Sequence, residues 1–141
     1  MSKRLALSFL LALVAAPACR EAGTASAEVH APFQALTYEA ALDAARADDR
    51  VVMLDFTASW CPPCREMEKS TWPDADVQAW VAREAVAIQV DVDKEGDLAA
   101  KFRASSIPTI VFLEPSGKEL GRFVGYRDPA AFLAEAAKHV D

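Results

Sequence analysis

The chain has 141 residues, the length of one ordinary domain. Apolar residues make up 52% of it and charged residues 26%, so the composition favours a packed core over a disordered chain. The formal net charge is −6, and no cluster of lysine and arginine interrupts it. This balance argues against nucleic acid and anionic membrane surfaces as partners.

The first 27 residues have the layout of a secretory signal peptide. Lys3 and Arg4 precede an apolar run over residues 5–18, and small and polar residues follow that run. The run is shorter than a transmembrane helix requires. We therefore expect residues 1–27 to be removed on export and residues 28–141 to form the mature domain in the periplasm.

Two cleavage sites fit this segment. Ala25-Ser26-Ala27 is the small-x-small pattern of ordinary signal cleavage, which would release a soluble protein. Alternatively, Cys19 lies where the apolar run ends, at the position of the lipid-bearing cysteine of a bacterial lipoprotein. Lipid on Cys19 would attach the domain to a membrane, and the sequence leaves both possibilities open.

Cysteine usage points to redox chemistry. Without its first 27 residues the chain carries 12 basic residues, 20 acidic residues and only two cysteines, Cys61 and Cys64. A small exported domain held together by structural disulfides normally has more cysteines, placed further apart. A zinc site would need two further ligands, and the only histidines, His30 and His139, lie near the chain ends. We therefore expect no metal and no cofactor, and we expect both histidines at the solvated surface.

The predicted elements alternate between helices and strands. Apolar residues recur at helical spacing after the capping residue Thr37, and a near-continuous apolar run follows, as in strands buried on both faces. Proline and aspartate at positions 62, 74 and 128 mark later helix starts. In chain order the prediction is a helix over 37–47, a strand over 51–56, helices after 62 and 74, a strand over 85–91, a helix around 98–102, strands over 109–113 and 119–124, and a last helix from 128.

This order predicts one α/β domain with a central mixed β-sheet flanked by helices. The alternation of strand and helix in the first part indicates parallel pairing. The turn over residues 114–117 joins the last two strands into an antiparallel hairpin, and a helix closes the domain.

The cysteine pair lies where the first strand meets a helix. Disulfide exchange requires a thiolate, because the thiol is a poor nucleophile. At this junction the Cys61 sulfur would lie beside unpaired backbone N–H groups and the positive end of the helix dipole, which lower a cysteine pKa from about 8.5 to roughly 3.5–7.5. Cys64, one turn later, would be less exposed and would attack the mixed disulfide. An inert structural disulfide is the alternative.

Two segments carry a family resemblance. Residues 55–64, Asp-Phe-Thr-Ala-Ser-Trp-Cys-Pro-Pro-Cys, look like the active-site segment of thioredoxins, and Ser106-Ile107-Pro108-Thr109 looks like their cis-proline loop. Residues 52–69 are similar to the periplasmic C-terminal domains of the DsbD family of thiol:disulfide interchange proteins, and residues 70–72 and 76–78 extend this match. The resemblance covers about residues 34–141 and implies a thioredoxin fold.

The resemblance gives Asp55 a catalytic role. It lies six residues before Cys61, where thioredoxins keep a buried acid that takes or returns the proton of Cys64. The alternative is that Asp55 only hydrogen-bonds the strand end. Thioredoxins commonly carry a lysine facing this acid, and Gln89 stands there instead, which leaves the tuning of Asp55 undetermined.

The resemblance also implies a surface that binds the partner protein. A cis bond at Pro108 would leave the backbone of Ile107 free to pair with an incoming peptide, although a trans proline at a strand start is the alternative. Trp60 would lie beside the reactive sulfur, with Pro62 and Pro63 stiffening the turn. The alternative for Trp60 is a place in the core. It is weaker because tryptophans on the predicted helices are already candidates for the core.

The implied function is that of an exported protein-disulfide reductase or electron relay. It would act as a monomer on disulfides of other exported proteins, and a separate thiol electron donor, soluble or membrane-bound, would recharge it. One rival is a thiol oxidase or disulfide isomerase that uses the same cysteines. The other is a thioredoxin-fold binding module in which the cysteines are incidental.

Overall fold

The computed structural model describes residues 32–140. The predicted signal peptide, the candidate lipidation site Cys19 and His30 lie outside the described residues. Within them, the order of elements agrees with the sequence prediction, and the bounds differ by a few residues. The elements are α1 (Tyr38–Asp48), β1 (Val51–Thr57), α2 (Pro62–Ser70), α3 (Ala75–Glu84), β2 (Ala85–Asp91), α4 (Gly96–Lys101), β3 (Thr109–Leu113), β4 (Glu119–Val124), α5 (Pro129–Ala136) and a final 3-10 turn (Ala137–His139).

Side-chain caps explain where three helices begin. The Thr37 hydroxyl accepts a hydrogen bond from the Ala40 N–H at 3.2 Å and starts α1. Asp74 and Asp128 cap α3 and α5 in the same way. Each cap satisfies a backbone N–H that the helix itself leaves unpaired. The predicted helix starts are confirmed at all three residues.

The sheet has four strands in the order β2-β1-β3-β4. β1 and β2 are parallel, β3 runs antiparallel to β1, and β4 runs antiparallel to β3. This is the thioredoxin fold, and the predicted α/β class with a central mixed sheet is confirmed. No helix within residues 32–140 has the length and apolar character needed to cross a membrane.

The core consists of two apolar layers, one on each face of the sheet. Alternate residues of β1 point to opposite faces, so Val52, Leu54 and Phe56 pack with α1 and α4. Met53 points the other way, into the layer formed with α2, α3 and α5. Asp55 follows Met53 at a spacing of two and therefore brings a carboxyl group into this second layer.

His139 is half-buried rather than solvated, which differs from that expectation. Its ring stacks on Phe112 with the ring centres 5.0 Å apart. A Cβ added at Gly121 would overlap the imidazole, so the ring lies directly against this glycine. The chain end folds back onto the sheet after α5, and the flat imidazole covers apolar surface there. The pattern of residues around His139 in the sequence does not predict this contact.

Candidate active site

The predicted cysteine pair is joined by a disulfide at the start of α2. Cys61 is the N-cap residue with an extended backbone, and Pro62 occupies the first helical position, where its missing N–H costs nothing. The Cys64 N–H points at the Cys61 sulfur, 3.3 Å away. The two Cα atoms are 5.3 Å apart, and the helix that follows has nine residues. Backbone dipoles are therefore directed at the Cys61 sulfur, as the sequence predicted.

Both cysteines lie in an apolar recess. Cys61 is 2% exposed and Cys64 is 3% exposed, so the prediction that Cys64 would be the less exposed of the two is wrong for the disulfide form. They pack with Ala58, Val92 and Ile107, which come from the loops after β1 and β2 and from the loop before β3. Closing the disulfide brings both sulfurs into the same recess, which is why they share one degree of burial.

The loop before β3 forms one side of this recess. The Ile107–Pro108 peptide bond is cis, as the resemblance implied. The Pro108 carbonyl accepts a hydrogen bond from the Gly125 N–H at 2.8 Å, which ties the loop to the end of β4. Ile107 is half-buried against the cysteines, while Pro62 and Pro63 on the opposite side are exposed. All the residues predicted to bind a partner except Trp60 thus lie in α2 or in the loop before β3.

Trp60 stands at the surface beside the pair. It is 60% exposed, whereas Trp72 and Trp80 are buried in the core, so the alternative that Trp60 is a core residue is excluded. Its indole N–H donates a hydrogen bond to the Asp93 carboxylate at 2.7 Å. Sequence reasoning missed Asp93. The available signal was the parallel pairing of β1 and β2, because the loops that leave two parallel neighbours meet at one edge of the sheet.

Asp55 is a buried carboxyl group with a perturbed pKa. It is 2% exposed, and burial raises its pKa from the ordinary 3.8 to about 7. Two neighbours act on the same carboxyl. A hydrogen bond from the Gln89 amide to Oδ2, at 3.1 Å, lowers the pKa of Asp55, and the charge of Glu68 raises it.

Glu68 is the second residue that sequence reasoning missed. It lies four residues after Cys64 on α2, so the two share one face of that helix. Since its charge also acts on Asp55, the carboxyl of β1 and the second cysteine have Glu68 as a common neighbour. The i, i+4 spacing was the signal that could have found it.

The comparisons with known proteins agree with this geometry. Residues 38–139 match the family model described as a thioredoxin-like domain. Thioredoxin-1 of Drosophila melanogaster is 38% identical over 79 residues, which cover 56% of this chain and 70% of that protein. The solution structure of a thioredoxin from Thermus thermophilus superposes with a TM-score of 0.65 at 35% identity, over 72% of this chain and 82% of that one. The chain belongs to the thioredoxin-like family.

A further relative is a much longer protein. The thiol:disulfide interchange protein DsbD of Yersinia pestis is 38% identical over 95 residues, or 63% of this chain. The match spans only 16% of the length of that protein. With the family, the fold and the Cys61–Cys64 disulfide together, this chain is a thioredoxin-like thiol–disulfide oxidoreductase.

Proposed function

We propose that the protein is an exported reductase or electron relay for disulfides of other exported proteins. The Cys61 thiolate attacks a partner disulfide, forms a mixed disulfide and releases one partner sulfur as a thiolate. The Cys64 thiolate then attacks the Cys61 sulfur, closes the Cys61–Cys64 bond and releases the second partner sulfur, which takes up a proton. Two electrons pass to the partner, and a dithiol donor must return them before the next cycle.

Asp55 serves the second attack in this scheme. Cys64 must lose its proton before it can act as a nucleophile, and the recess around it excludes most water. A carboxyl whose pKa burial has raised to about 7 is ionised in part of the molecules at neutral pH and holds the proton in the rest. It can therefore take the proton from Cys64 and return it in the reverse direction.

The proposal that the protein acts as a reductase rests on the carboxyl groups around the cysteine pair. A domain is a strong oxidant when its reduced, thiolate form is stabilised. Here the buried carboxyl of Asp55 supplies negative rather than positive charge on this side of the site, which disfavours a Cys64 thiolate. Glu68 is exposed, so water screens its charge. Arg65 is exposed, and its guanidinium donates to the Ser59 carbonyl at 3.3 Å, so water screens its charge. The disulfide form is favoured, and the dithiol is accordingly a good electron donor.

The reduction potential tests this direction. We expect the purified domain, equilibrated against dithiothreitol or glutathione buffers, to have a potential near that of thioredoxin, about −270 mV. A value near −120 mV, the potential of a strong thiol oxidant, would contradict the reductase proposal and favour the oxidase. Alkylation followed by mass spectrometry reads the fraction of dithiol directly.

We propose that the surface contacting the partner chain is formed by Trp60, Pro62, Pro63 and Ile107. Pro108 is buried and shapes this surface through its cis bond to Ile107. Trp60 offers a large exposed ring, which its hydrogen bond to the Asp93 carboxylate holds in place. We expect Trp60→Ala to raise KM for a disulfide-containing peptide about tenfold, the loss of one good aromatic contact, with little change in kcat.

Two further variants support that measurement. Asp93→Ala frees the indole but keeps the ring, so its KM should rise less. Leu120→Ala removes a 38% exposed apolar side chain from the opposite end of the sheet and should leave KM unchanged. Equal KM values for the wild type and Trp60→Ala would remove Trp60 from the proposed surface.

Export belongs to the same proposal. The N-terminal mass of the protein recovered from cells distinguishes its two forms: a start at Glu28 means ordinary cleavage, and a lipid-modified start at Cys19 means anchoring. An unprocessed Met1 in the cytoplasm would contradict both. As part of the same proposal, the domain works as a monomer.

A further inference from the structure

Gln89 is the hydrogen-bond partner of the buried acid. It lies directly opposite Asp55 in the parallel register of β1 and β2. Its amide nitrogen donates to Oδ2 of Asp55 at 3.1 Å, and within the described residues this is the carboxyl group's one hydrogen bond. Gln89 itself is only partly buried, so it spans from the edge of the site to the carboxyl.

The other sides of Asp55 lack a second donor. β3 presents Ile110 opposite Asp55, and α2 brings the negative charge of Glu68. No lysine or arginine within residues 32–140 contributes to the pKa of this carboxyl. The orientation of the carboxyl group therefore depends on a single neutral amide.

A neutral donor has a specific effect on a carboxyl that gains and loses a proton. In the neutral acid both oxygens keep lone pairs, but the carbonyl oxygen is a better acceptor than the hydroxyl oxygen, so an N–H directed at Oδ2 favours that oxygen as the carbonyl. The proton of the neutral acid is therefore placed on Oδ1. A lysine at this position would favour the ionised acid strongly, whereas an amide leaves both forms accessible near neutral pH.

We propose that Gln89 is a positioning residue that reserves Oδ1 of Asp55 for the proton exchanged with Cys64. The link to Cys64 rests on the proposed function of Asp55. The hydrogen bond and its orienting effect do not depend on the direction of electron flow. An uncharged donor thus fixes which oxygen takes the proton without holding the acid in one charge state.

Two substitutions separate donor from charge. Gln89→Met keeps the length of the side chain and removes the donor, so the Asp55 pKa should rise by about one unit, a tenfold change in proton affinity. Gln89→Lys keeps a donor and adds a charge, so the pKa should fall below that of the wild type. Carbon-13 NMR titration of the Asp55 carboxyl in the oxidised domain measures both, and the pH midpoint of turnover should move in the same directions.

Gln78→Met is the matched control, because the Gln78 amide donates to the Trp72 carbonyl at 3.1 Å on α3, outside the site. It should leave the titration and the pH midpoint unchanged. A Gln89→Met titration that superposes on the wild type would overturn the proposal, and so would a Gln89→Lys shift in the same upward direction. Because the titration uses the oxidised domain without a partner, it gives its answer even if the reductase function fails.

Discussion

We expect Cys61→Ser to abolish turnover and Cys64→Ser to stop the reaction after its first step. We expect the first variant to lose activity by on the order of 10³-fold or more, since residues that act as one unit lose nearly all activity singly. Cys64→Ser still carries the sulfur at the helix N-terminus, so it should attack a partner and remain joined to it. Insulin reduction at limiting dithiothreitol measures turnover, and non-reducing electrophoresis with mass spectrometry identifies the trapped mixed disulfide.

Ser59→Ala is the control for this pair, because Ser59 is an exposed neighbour in the same loop. It should react and release partners as the wild type does. A Cys64→Ser variant that traps nothing, together with a Cys61→Ser variant that does, would mean that the roles of the two cysteines are reversed. Full turnover by Cys61→Ser would exclude thiol–disulfide exchange at this site altogether.

Asp55→Asn becomes more stable relative to the wild type as the pH rises. At pH 3 both folded and unfolded wild type hold the Asp55 proton, whereas between about pH 4 and pH 7 only the folded form holds it, because burial raises the folded pKa to about 7. The wild type therefore loses stability through this interval, and the loss levels off above it. A shift from 3.8 to about 7 corresponds to about 4 kcal/mol.

Urea unfolding of the oxidised proteins at pH 4, 6 and 8 measures this effect. The difference in free energy of unfolding between Asp55→Asn and wild type should grow by about 4 kcal/mol in favour of the variant. Asparagine retains an oxygen that can accept the Gln89 hydrogen bond, so the change isolates the charge. A difference that stays constant with pH would contradict a raised pKa.

The same variant should turn over more slowly. We expect a loss of about 100-fold at pH 7, the lower end of the range for general acid–base catalysis. The loss should shrink at alkaline pH, where hydroxide can take the Cys64 proton without the help of Asp55.

Glu68→Gln tests the same pKa by a smaller change. Removing the charge that raises the pKa of Asp55 should shift the pH midpoint of turnover downward. An unchanged midpoint would mean that Glu68 does not act on Asp55.

The features that could be predicted from the sequence are those that depend on residues close together in the chain. Capping residues such as Thr37 and Asp74 bond to backbone N–H groups two or three residues further along the chain, so each marks a helix start locally. Runs of apolar residues mark the buried strands in the same local way. The cysteine pair and the proline loop are likewise short linear motifs. These features need no knowledge of which distant segments meet, and they were predicted accordingly.

The remaining features depend on contacts between distant segments. The Trp60–Asp93 hydrogen bond joins residues 33 positions apart, and the Gln89–Asp55 bond joins residues 34 apart. Which residues meet in these two hydrogen bonds depends on how β1 and β2 are aligned. Composition and residue spacing do not specify that register. The equal burial of the two sulfurs and the packing of His139 on Phe112 arise the same way, from surfaces that meet only in the folded chain.

The recess that holds the Cys61 sulfur also restricts the shape of any partner. In the disulfide form only 2% of Cys61 is exposed, so a flat, rigid protein face has poor access to its sulfur. A segment that bends or has not finished folding can reach in. We therefore expect the domain to act more readily on disulfides in flexible segments than on disulfides held in a rigid, fully folded structure.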